Sequence, residues 1–144
     1  MFRLLKALLF MLMLALPFSA QGRDQNADIY GTWKIKRFAG SADTFGLSDK
    51  QIRNLIGKSI VISADAFTFD GRACRPTYKR SKARTVAYFR REWQADAAEL
   101  SLPDPVTVIE TGCNWVYPIN RNHIIVAEQS GVFFDAVRVK KASH

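Results

Sequence analysis

The 144-residue chain has two cysteines, two histidines and no catalytic signature. It contains no Gly-Xaa-Ser-Xaa-Gly, no His-Glu-Xaa-Xaa-His and no Cys-Xaa-Xaa-Cys, so the common hydrolase, zinc-peptidase and thiol-redox patterns are absent. The segment IGKS, residues 56–59, ends like a phosphate-binding loop, but that loop would need glycine where Ile52 stands. His123 and the terminal His144 are isolated, and lone histidines do not compose a metal site. No pair of carboxylates is marked by its spacing. The expectation is a protein that is not an enzyme and carries no cofactor or metal.

Long apolar runs are lacking after the first twenty residues. MFRLLK is a short cationic head, ALLFMLMLALPF is the apolar core of a signal peptide, and small residues follow Pro17. The run is shorter than the roughly 20 residues a membrane span needs. Residues 1–22 are therefore read as a signal peptide, cut after Ala20 or Gly22, and residues 23–144 as a single domain. No cysteine directly follows the apolar run, so a lipid anchor is not expected there. The expected location is the periplasm or the cell exterior, with a soluble mature protein.

In an oxidising compartment an isolated cysteine pair forms a disulfide. Cys74 and Cys113 are thus expected to be bonded, against the rival reading of a reactive thiol with His123 as its base. A loop of this length gains roughly 4 kcal/mol from closure.

Acidic residues are missing from one whole stretch. RACRPTYKRSKARTVAYFRR, residues 72–91, holds Arg72, Arg75, Lys79, Arg80, Lys82, Arg84, Arg90 and Arg91 without a single carboxylate. The full chain is +8, about +6 once Arg3 and Lys6 leave with the leader. Such a field attracts anions.

What remains reads mostly as strands. Over Ile29–Phe38, Ile29, Gly31, Trp33 and Ile35 share one face, and Tyr30, Thr32, Lys34 and Lys36 the other. LSDKQIRNLIG is the one expected helix, with Ser48 and Gln51 in capping-box spacing and Gly57 as its stop. KSIVIS and AFTFDG form a hairpin or one bent strand. RTVAYFRREW and AELSL are strand candidates, followed by VTVIET, NWVYPI, NHIIVAE and GVFFDAVRVK. Pro118 suggests an edge or a strand terminus. Eight to ten short antiparallel strands with one short helix after the first point to a mainly β fold. An up-and-down barrel is favoured over a sandwich because the helix can cap an open end.

Gly31-Thr32-Trp33 at the start of the first strand, with Arg138 on the last, resembles the signature of the calycin superfamily: lipocalins, fatty-acid-binding proteins and avidins. IETGC, residues 109–113, is similar to a segment of small bacterial periplasmic proteins with lipocalin-like barrels. The resemblance implies a barrel over residues 29–141, closed at one end by Trp33 with Arg138 across its indole. It also implies a binding function.

Three function classes follow. The first is a carrier for a small apolar or anionic amphipathic ligand, with Phe67, Phe69, Tyr88, Phe89, Phe133 and Phe134 lining the barrel or filling it. Arg72, Arg75, Arg80, Arg84 and Tyr88 are the candidate binding residues, held near Cys74. The second is a protein-binding inhibitor of an envelope hydrolase, similar in outline to lysozyme inhibitors, docking through residues 72–91. The third, nucleic-acid binding, is disfavoured by export. A packed interior would favour the inhibitor, an empty one the carrier.

Overall fold

The computed structural model describes residues 24–141. The expected leader, residues 1–22, lies outside the described residues. The described residues form nine strands: β1 (Gly31–Ser41), β2 (Ser59–Ile62), β3 (Phe67–Phe69), β4 (Arg72–Cys74), β5 (Lys79–Ala83), β6 (Val106–Glu110), β7 (Trp115–Asn120), β8 (His123–Glu128) and β9 (Val132–Arg138). Two α-helices, α1 (Asp49–Leu55) and α2 (Thr85–Trp93), and two 3-10 turns, η1 (Ala27–Ile29) and η2 (Ala97–Leu100), complete it.

All nine strands belong to one antiparallel sheet in the order β4-β3-β2-β1-β9-β8-β7-β6-β5. This is the cyclic order of an up-and-down meander with one ladder missing, between β4 and β5. The registers show that the sheet is coiled. From Cys74 the ladder runs through Phe67 and Ile62 to Gly31, the first residue of β1. From Lys79 it runs through Glu110, Trp115, Ala127 and Phe133 to Gly40, near the other end of β1. Diagonal corners of the sheet are thus joined by only four residues, Arg75–Tyr78. A tilted, staggered sheet that curls back toward its own edge has this property.

A disulfide and an ion pair are among the links across the open seam. Cys74 and Cys113 are disulfide-bonded, with Cα atoms 6.1 Å apart. η1 provides the second: Arg80 of β5 grips Asp28 through both carboxylate oxygens, at 2.9 and 2.8 Å.

The two sheet faces carry separate cores. On the concave side Trp33, Ile35, Ile60, Phe67, Val116 and Phe134 pack into one buried cluster. On the convex side α2 and η2 cover Val106, Val108, Tyr117, Ile125 and Phe133. Strand alternation divides neighbours accordingly: Phe134 faces inward and Phe133 outward.

Two expected strands are helical. RTVAYFRREW contains α2, and AELSL overlaps η2. Thr85, Tyr88 and Phe89 are the buried side of α2, at i, i+3 and i+4, which is helical spacing. Gln94 in the left-handed conformation (φ 50°) ends the helix. Tyr88, Phe89 and Phe133 therefore do not line the concave interior; they pack outside it, whereas Phe67, Phe69 and Phe134 belong to the inner cluster. KSIVIS and AFTFDG are a hairpin, β2–β3. Pro118 lies within β7, beyond Trp115 and Val116, where pairing with β6 stops, so its missing N–H breaks no ladder. Among the described residues no helix is long and apolar enough to cross a membrane.

Candidate functional site

The two ends of the coil differ. At one end Trp33 is fully buried, donates from Nε1 to Ile29 O at 2.9 Å, and carries the Arg138 guanidinium 4.3 Å above its ring. Arg138 also donates to the carbonyls of Asp28, Tyr30 and Arg121 at 2.6, 2.6 and 2.8 Å. Gly31 allows this approach: with φ +135°, it would place a Cβ 2.7 Å from Arg138 Nη1. Tyr78 fills the adjoining seam, with its hydroxyl donating to Ser63 O at 2.6 Å and its ring 5.9 Å from that of Tyr30. Burial pushes the Tyr78 phenol up to about 12. All these groups are engaged with one another.

The other end is capped by α1. Ser48 Oγ accepts from Gln51 N–H at 3.2 Å, and Gln51 Oε1 accepts from Ser48 N–H at 2.8 Å, which fixes where the short helix begins. Ile52 and Leu55 rest on the inner cluster without being fully buried. Between α1 and the strand rim lies a groove of about 290 Å³. Leu47 and Leu55 form its helix side, Phe69, Asp70 and Arg72 its β3–β4 side, and Glu128 its far edge. The ring of Phe69 continues inward to Phe134, 6.3 Å away. Glu128 is held by Ser130, whose N–H donates at 2.8 Å and whose hydroxyl donates as well. Arg72 makes no ion pair among the described residues.

The candidate binding residues do not form one patch. Arg72 is on this groove, and Arg75 is exposed on the β4–β5 link. Arg80 is committed to Asp28, which raises its pKa, and also donates to Gln25 O at 2.9 Å. Arg84 precedes α2, exposed and 3.9 Å from Asp104. Tyr88 is buried under α2, with its hydroxyl 3.0 Å from that of Tyr117. Sequence reasoning missed Leu47, Leu55 and Asp70 as groove residues. Leu55 lies in the expected helix LSDKQIRNLIG, and nothing local links it to β4.

On the convex side Asp135, 5% exposed, is bridged by Arg37 at 2.8 Å and by His123 Nε2. This orders the outer face beyond the reach of α2. Among the described residues no cluster of three metal-ligating side chains exists. Comparison with protein families, with curated proteins and with solved structures found no match.

Proposed function

We propose that the protein is an exported, non-enzymatic binding protein, periplasmic or secreted, built on a calycin-like barrel. In this reading it takes a small anionic amphiphile in the groove beneath α1. The observation that carries it is one juxtaposition: Leu47, Leu55 and Phe69 share a groove with Arg72, which makes no ion pair among the described residues although Asp70 and the Ser130-held Glu128 also line it. Apolar surface favours a hydrocarbon tail, and a guanidinium forms charge-assisted bonds with a carboxylate or sulfate head. Size narrows the ligand. Small-molecule sites usually span about 300–1,000 Å³, and this groove is at the lower bound. The inner cluster blocks a deeper path, so a short chain fits better than a long fatty acid.

Isothermal titration with octanoate and octyl sulfate tests this. Binding at low salt, weakened by added salt and reduced about tenfold in Arg72→Ala, is the expected result. Absence of binding to the unsubstituted protein rejects it.

The packed interior favours a second reading, an inhibitor of an envelope hydrolase. Arg72, Arg75 and Arg84 are each exposed, and each is a separate point at which an acidic cleft could be met. Inhibition of a lysozyme by the protein, lost on reversing these charges, would support that reading.

A further inference from the structure

We propose that a second groove, beside the disulfide and between the β6–β7 and β8–β9 turns, binds a saccharide. Its volume is about 340 Å³, enough for a small ligand. It is distinct from the groove beneath α1, and the proposal does not depend on that reading.

The β6–β7 turn is firmly held. Thr111 Oγ1 accepts from Cys113 N–H and Asn114 N–H at 3.2 and 2.9 Å, and donates to Asn114 O at 2.7 Å. Thr77 N–H donates to Thr111 O at 2.9 Å, and Gln129 Nε2 to Cys113 O at 2.7 Å. The disulfide fixes Cys113 from the other side. Gly112 adopts φ +76°, and a Cβ there would sit 2.9 Å from Thr77 Oγ1. This part of the groove wall is shaped before any ligand arrives, which lowers the ordering cost of binding.

The lining pairs an indole with a cation and a carboxylate. Trp115 is half-buried; Trp93 packs against it edge-to-face at 4.9 Å, and part of the remaining indole lines the groove. Trp115 Nε1 donates to no group among the described residues. Beside it stand Lys79 and Glu110, 3.8 Å apart and with side chains 78% and 46% exposed. An exposed pair at that distance is weakly held, so both groups can turn to a ligand. A sugar hydroxyl both donates and accepts. Adjacent hydroxyls would therefore be matched by a carboxylate acceptor and an ammonium donor side by side. The C–H face of a pyranose is apolar and suits an indole wall. Lys79 and Glu110 cancel in charge, which suits an uncharged ligand better than a fatty-acid carboxylate or a phosphate.

The test is an NMR titration of the intact mature protein with cellotetraose and with chitotetraose. Expected is a saturable shift of the Trp115 indole N–H together with the Gly112 and Gln129 amides. Glu110→Gln should weaken binding about tenfold, the loss of one charged hydrogen bond, with the rest of the spectrum unchanged. Arg72→Ala should leave the affinity unaltered, because that residue lines the other groove. No saturable shift with either tetrasaccharide at about 10 mM, equal binding by Glu110→Gln, or loss of binding in Arg72→Ala would overturn the proposal.

Discussion

Tyr117 shows how one side chain joins the convex core to a pH response. Its ring is fully buried, yet its hydroxyl accepts from Trp93 Nε1 at 2.9 Å and pairs with Tyr88 at 3.0 Å. Burial, then the Tyr88 phenol, push the Tyr117 pKa well above that of a free tyrosine. Burial also raises that of Tyr88. The sign follows. A raised folded-state pKa means that the unfolded chain loses its phenolic protons first as pH rises. The stability these groups contribute is complete below about pH 10 and declines above it. Urea titrations between pH 8 and 11 should show stability falling in the alkaline range. Tyr117→Phe should lower stability by about 1–2 kcal/mol at pH 8, because Trp93 loses its acceptor, and should flatten the alkaline decline. An equally steep decline in the variant would show that Tyr117 is not its source.

At the scale of elements, α2 is the informative case. Its nine residues are rich in aromatic and β-branched side chains, which are strand formers. That composition made RTVAYFRREW look like a strand. Yet Tyr88 and Phe89 are buried while Val86 is 59% exposed, a pattern with helical spacing. Caps distant in sequence stabilise the start: Thr85 N–H donates to Asp104 Oδ1 at 3.1 Å, and its hydroxyl to Pro103 O at 2.7 Å. Those partners become neighbours only after folding, so no local capping signal marks α2. In α1 the whole capping box lies within Ser48–Gln51, and that helix was legible. The contact of Arg138 with Trp33 beside Gly31 was legible as well. The groove beneath α1 was not, because it is assembled from residues of α1, the β3–β4 turn and β8. If α2 anchors the convex core, Phe89→Ala should cost about 3–5 kcal/mol, against at most about 0.5 kcal/mol for Val86→Ser. Chemical denaturation of both variants measures the difference. Similar small losses would mean that α2 is a dispensable cover.

For the whole molecule, the decisive feature is the ladder that does not form. Antiparallel pairing is continuous from β4 to β5 except across the seam between those two strands. Exposed strand edges invite further pairing, and β5 carries Lys79, Arg80 and Lys82 along its edge, charges that oppose it. The disulfide and the Arg80–Asp28 pair do what the missing ladder would do in a closed barrel. The disulfide spans 39 residues, and closing a loop of that length restricts the unfolded chain by roughly 4 kcal/mol. The bond also holds β4 against the β6–β7 turn. Replacing both cysteines by alanine should therefore lower stability by about 2–5 kcal/mol and act unevenly. Hydrogen exchange should rise first in β4, β5 and Arg75–Tyr78, while the long β1–β9 and β8–β9 ladders stay protected. Exchange that rises uniformly, or a variant as stable as the parent, would mean that the curl is held by the concave core alone.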